Sequence, residues 1–113
     1  MRKLIFAATG MMFFAGSLTQ SAFAQDQSGQ INGQAVYEKW CSPCHAPGPG
    51  HPGTQSLQLK YSDSLPAVLE DRTDLTPEVV KTFVRQGVLM MAPFRKTEIT
   101  DAELDDLAAY LAK

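Results

Sequence analysis

The chain has 113 residues, 44% of them hydrophobic and 19% charged, a length that suits one small domain and excludes a multidomain enzyme. Its two cysteines exclude a disulfide-dense secreted scaffold. The formal charge of −2 turns more negative once the first 24 residues, with Arg2, Lys3 and no acid, are set aside, which argues against nonspecific nucleic-acid binding.

Arg2 and Lys3 precede an apolar run from Leu4 to about Leu18, and Ala22-Phe23-Ala24 follows with small residues at the two positions a signal peptidase reads. The run is too short and too rich in Gly10, Gly16 and Ser17 to span a bilayer. Residues 1–24 are therefore expected to be an export signal cut after Ala24, which places the mature protein in the periplasm. Residues 25–31 read as a flexible polar leader, and 32–113 as the folded domain.

Asn32 is the expected N-cap of a first helix. Val36, Trp40 and Cys44 form one i, i+4 row, and Tyr37, Cys41 and His45 the next, with Pro43 ending or tightening the helix. From Ala46 to Thr54, three prolines and three glycines read as loop. A short helix is expected near Ser64, with Ala67, Val68 and Leu69 apolar and Pro66 in its first turn. The next is better marked over 77–86: Thr76 as N-cap, Pro77 at N1, an apolar stripe of Val79, Val80, Phe83 and Val84, and Gly87 as terminator. Val88 to Lys96 reads as a loop carrying Met90, Met91 and Pro93. Thr100-Asp101-Ala102-Glu103 is a capping box, with Ile99 and Leu104 as a hydrophobic staple, and Leu104, Leu107, Ala108 and Leu111 follow at helical spacing. No stretch alternates with period two, so the fold class is all-α with long loops. Such a chain buries little apolar area against its conformational entropy, and an additional core component is expected.

Cys41-Ser42-Pro43-Cys44-His45 supplies its attachment point. Cys-x-x-Cys-His is the pattern for covalent c-type haem: two thiols on one helical turn each add to a porphyrin vinyl group, and the following histidine ligates the iron from the proximal side. Its other ring nitrogen needs an acceptor, for which the Pro52 carbonyl is the candidate. Three other readings compete. Trp40-Cys41-Ser42-Pro43-Cys44 looks like a thioredoxin-type dithiol, but that fold needs a strand before the motif and a sheet after it. Zinc on Cys41, Cys44, His45 and His51 does not match two-knuckle spacing. A plain disulfide leaves the missing core unexplained.

A second feature points to haem. Outside residues 1–24 the only methionines are Met90 and Met91, in the loop between the two best-marked helices, where a sixth iron ligand from the opposite side would originate. Met91, before Ala-Pro-Phe, is preferred over Met90; His51 competes but lies only six residues from His45. His/Met ligation leaves no open iron position and favours ferrous iron, so the centre would pass single electrons and carry no bond chemistry.

With these residues in hand, the chain resembles the class I c-type cytochromes along nearly its whole length. The resemblance implies a small cytochrome fold of three to four helices around one covalent haem, with Gly33 and Tyr37 meeting Leu107 and Tyr110 where the terminal helices cross. It carries over Cys41, Cys44, His45 and Met91. Met-Ala-Pro-Phe departs from the Met-Pro of many relatives and leaves Met90 in contention.

The runs Trp40 to Thr54, Arg72 to Pro77 and Phe83 to Gly87 resemble the cytochrome subunit of p-cresol methylhydroxylase-type flavocytochromes, to which eugenol hydroxylase has a similar subunit. That likeness implies an FAD-containing flavoprotein partner that oxidises a 4-alkylphenol, with Arg85, Arg95 and Lys96 as a cluster that could face it. The other readings are a freely diffusing shuttle between a membrane complex and an oxidase, a ligand-binding haem sensor or peroxidase lacking Met91 on the iron, and a dithiol oxidoreductase.

Overall fold

A proline one residue from the end of a helical turn forces the backbone to find another hydrogen-bond pattern, and helix α1 does so by widening. The computed structural model describes residues 32–113, so the expected export signal and leader lie outside the described residues. Helix α1 is helical at 32–36, opens into a π-helical turn over Tyr37–Cys41, and closes as an α-turn over Ser42–His45. Pro43 has no N–H to donate, and the preceding donor, Ser42 N–H, reaches five residues back to the Tyr37 carbonyl. The backbone thus loosens ahead of Pro43, and the helix runs two residues past it.

Helix α2 spans Pro52–Tyr61, which corrects the reading of Ala46–Thr54 as loop throughout. Pro52 sits in the first turn, where its missing N–H has no intrahelical partner to lose, after an extended His51. Ser62, with φ 46°, and Asp63, with φ 69°, turn the chain away at the far end. The helix expected near Ser64 is absent: after these left-handed residues the chain forms only a 3₁₀ turn at Leu69–Asp71.

Helices α3, Pro77–Gln86, and α4, Asp101–Leu111, fall where the sequence placed them. Thr76 Oγ1 accepts from Val79 N–H, and Gly87 ends α3 at φ 69°, a region costly to other residues. The Thr100 and Glu103 side chains each accept from the other's backbone N–H, at 3.2 and 2.8 Å, closing the capping box. The staple residues Ile99 and Leu104 are buried.

The described residues form an all-α fold in which the first and last helices cross. A Cβ added to Gly33 would come within 2.6 Å of Tyr110 Cβ and closer still to the Asp106 carbonyl oxygen, so the crossing needs a residue without a side chain. Beside it the Tyr37 and Tyr110 rings pack at 6.0 Å, tilted by 49°. The core joins Val36, Tyr37 and Cys41 of α1 to Val80 and Val84 of α3 and Leu104, Leu107, Ala108 and Leu111 of α4. Among the described residues, no helix is long and apolar enough to cross a membrane.

Candidate functional site

The last carbonyls of α1 would be left without partners by the helix end, and side chains from three places take them. Tyr37 Oη donates to the His45 carbonyl at 3.0 Å, Thr54 Oγ1 donates to the Ala46 carbonyl at 3.0 Å, and His51 Nδ1 bonds the Pro43 carbonyl at 3.1 Å. The Cys41–His45 turn is held in one conformation by this set. His51, the competitor for the iron, is thereby an anchor of the attachment turn.

Within that turn Cys41 is buried and Cys44 exposed, and both thiols are free. Burial, with Cys44 adding to it, pushes the Cys41 thiol up to about 11. His45 is half-buried, and burial lowers its pKa from the ordinary value, which favours the neutral imidazole that ligates metals. Its Nδ1 is enclosed with no hydrogen-bond partner. No bond joins it to Pro52, whose carbonyl accepts from Ser56 Oγ at 2.8 Å. Gly53 explains the enclosure: a Cβ there would lie 2.6 Å from His45 Cε1 and 2.8 Å from Nδ1. Gly53 escaped the sequence reading because Pro-Gly was taken for a loop, when here it opens a helix against the imidazole.

Opposite His45, Val88 and Met91 exchange two backbone hydrogen bonds of 2.9 Å, closing a tight turn with Leu89 at φ 52°. Leu89 and Met90 stand at its tip, and Met90 is 90% exposed. Met91 returns onto the core. Phe94 N–H donates to the Val84 carbonyl at 2.8 Å, and the Phe94 ring meets Trp40 edge-on at 5.8 Å.

Arg85 fixes the far end of this loop by donating to the Phe94 carbonyl, the Ile99 carbonyl and Asp101 Oδ1, at 3.1, 2.9 and 2.9 Å. Arg95 pairs with Glu98 and Lys96 with Asp101. The cluster Arg85, Arg95 and Lys96 is therefore neutralised within the chain, and its suggested role as a partner-facing cationic patch is corrected: Arg85 is a brace for the loop.

Between the turn and the loop lies a cavity of about 270 Å³ whose wall includes Cys41, His45, Phe83, Met91 and Leu107. Met90 is not part of the wall. A largely apolar slot with a neutral, unpartnered imidazole and a thioether on its wall, and a cysteine at its edge, fits a covalently attached haem. The donor set, nitrogen and sulfur with two thiols on one turn, is the set such a group requires. Among the described residues there is no group of three or more His, Cys, Asp or Glu fit to hold a metal ion, which leaves the zinc reading unsupported, and there is no sheet to carry a thioredoxin-type dithiol.

Comparison with known proteins agrees with this geometry. Residues 30–111 match the family described as cytochrome C oxidase, cbb3-type, subunit III. The chain is 30% identical over 104 residues to the 4-cresol dehydrogenase (hydroxylating) cytochrome c subunit of Pseudomonas putida, an alignment covering 92% of this chain and 79% of that relative. No solved structure matched the chain.

Proposed function

The chain belongs to the class I c-type cytochromes, which carry electrons, and from that premise we propose that it holds one haem c through thioethers to Cys41 and Cys44, with His45 and Met91 on the iron. A haem held this way supplies a centre that gains and loses one electron at a time. The observation that carries the reading is the wall of the cavity, to which Cys41, His45 and Met91 contribute while Met90 stands in solvent.

Each residue has a distinct task. Cys41 and Cys44 fix the group to the turn that Tyr37, His51 and Thr54 brace. His45, kept neutral by burial, offers Nε2 for ligation because Nδ1 is enclosed beside Gly53. The Pro52 carbonyl has a lone pair beyond the one Ser56 uses, and we assign it as the acceptor for the Nδ1 proton in the loaded protein. The Met91 thioether favours the ferrous state and raises the potential. With imidazole and thioether filling both axial positions, no position is left for oxygen or a substrate.

The finer reading is an electron-accepting subunit of a flavocytochrome that oxidises 4-alkylphenols. The run Trp40 to Thr54 supports it, as does the relative described as a 4-cresol dehydrogenase cytochrome c subunit. In this arrangement an FAD-containing dehydrogenase subunit meets the substrate, and this chain takes its electrons singly. Residues 1–24 would direct export and be removed after Ala24, placing the complex in the periplasm.

Gentle purification from the native host, followed by the haem-to-flavin absorbance ratio of the eluted species and a pyridine haemochrome spectrum, tests both levels. A fixed ratio in a larger complex is expected. Covalent haem at the mass of one small chain would replace the flavocytochrome subunit with a diffusible shuttle. A protein without covalent haem would overturn the reading altogether.

A further inference from the structure

One corner of the cavity is polar, and iron ligation does not account for it. Helix α3 gives the wall only Val79, Val80, Phe83 and Val84, and α4 only Leu107 and Leu111, whereas Lys60, Tyr61, Arg72 and Asp74 gather together on it. Arg72 is 6% exposed, and arginine is almost never this buried unless it is paired. Its Nε and Nη2 bond Asp74 Oδ1 and Oδ2 at 2.8 and 2.5 Å. The guanidinium carbon lies 4.8 Å from the Tyr61 ring centroid, and Lys60 Nζ lies 5.2 Å from the same ring. Nη1 has no hydrogen-bond partner among the described residues. A local Arg72–Asp74 strut would explain one ion pair; it does not explain why a second cation and a phenol join it at the edge of an apolar slot, with positive charge in excess.

The position of the corner narrows the ligand. Helix α2 begins against His45 at Gly53 and ends at Tyr61, about 12 Å further on at 1.5 Å per residue. The corner therefore lies at the opposite end of α2 from the thiols. A porphyrin bound through its vinyl groups carries its two carboxylates on the edge away from those bonds. We propose that Arg72, with the Tyr61 hydroxyl and the Lys60 ammonium, is the binding site for the carboxylate edge of the haem, Asp74 sharing the guanidinium. The inference rests on the haem-binding reading above.

The pairing has an electrochemical consequence. Arg72 is a cation at all accessible pH and keeps an adjacent carboxylate ionised into acid. A carboxylate that titrates adds negative charge as pH rises, which favours ferric iron and lowers the potential. The wild-type potential should thus fall with pH only on an acid limb and stay level above it. Other charges nearby are Asp71 and Glu70 in the preceding 3₁₀ turn, Glu70 being engaged by Tyr110 and Lys113; His45 lies elsewhere on the cavity wall.

The test is spectroelectrochemical titration of the haem-loaded protein across pH. Arg72→Gln should move the acid limb up by about 1–3 pH units, the shift an opposite charge imposes on a carboxylate. The double variant Lys60→Gln with Tyr61→Phe, at partly exposed positions, should move it in the same direction by less. An unmoved limb in loaded, folded Arg72→Gln overturns the carboxylate site while leaving haem attachment intact. If Arg72→Gln does not fold, an unmoved limb in the double variant does the same. Absence of covalent haem in the wild type, read from its haemochrome spectrum, would overturn the earlier reading instead.

Discussion

Gly33→Ala is the substitution whose cost can be worked most directly. In a free helix the change would be favourable by about 1 kcal/mol. At this crossing the new methyl would sit 2.6 Å from Tyr110 Cβ and 2.8 Å from the Asp106 carbonyl carbon. Neither is the free end of a flexible side chain, so α1 and α4 must separate. Overpacking of this kind costs about 1–3 kcal/mol, and loosening the Tyr37–Tyr110 ring pair costs about 0.5–1.5 kcal/mol more. With the helix gain set against the upper part of these ranges, the net loss is about 2 kcal/mol, a fall in Tm of roughly 8–16 °C for a domain of this size. Thermal unfolding of the haem-loaded variant, followed at the helix signal and the haem band together, measures it. Gln34→Ala, on the same helix but exposed, serves as the reference. A Gly33→Ala protein as stable as the wild type would refute the reasoning, because the crossing could then open at no cost.

Three further outcomes are expected. Met91→Ala should erase the weak near-infrared iron–sulfur band and let carbon monoxide bind the reduced protein without delay, while Met90→Ala leaves both unchanged; the opposite pattern would transfer the ligand to Met90. Gly53→Ala should press the new methyl onto the His45 ring, destabilising the loaded fold by about 1–3 kcal/mol and perturbing the haem spectrum; an unaltered spectrum and Tm would show that the ring has room to move. Burial, and then the hydrogen bond to Glu70, pushes the Tyr110 phenol up to about 12 from an ordinary 10. Because the folded value is raised, its contribution to stability is complete below pH 10 and is lost as pH rises through about 12. Alkaline thermal scans should therefore show a decline that Tyr110→Phe blunts, and an equal decline in that variant would remove Tyr110 as a cause.

The parts of the molecule legible in the sequence are those where a local signal and a packing need coincide. Thr76-Pro77 and Gly87 bracket α3, and Thr100 to Glu103 opens α4, because caps and apolar stripes there point the same way. Cys41, Cys44 and His45 were legible as a motif, and Met91 as one of a lone pair of methionines. Helix α2 was not legible: it opens with Pro-Gly, buries only Thr54, and leaves Leu59 83% exposed, so no apolar stripe marks it. The expected helix near Ser64 failed for the converse reason. Its apolar residues Ala67, Val68 and Leu69 are real core or near-core positions, but Ser62 and Asp63 take left-handed conformations that redirect the chain before a helix can start. Arg85 and Arg72 read as surface charge because sequence gives no sight of the carbonyls and carboxylate that hold them.

The widened turn in α1 bears on how the gene can vary. A π-turn holds one residue more than the α-turn it replaces, so Tyr37–Cys41 behaves as a one-residue insertion lodged inside a helix. Removing any single residue from that stretch would restore an ordinary helix and rotate everything after it by about 100° relative to everything before it. Tyr37 would still face Tyr110, but the two thiols and the imidazole would no longer face the cavity. Indels in the loops on either side of α3 leave the frame of the site intact by comparison, and the five positions from 37 to 41 form a stretch whose length, more than its composition, the site cannot do without.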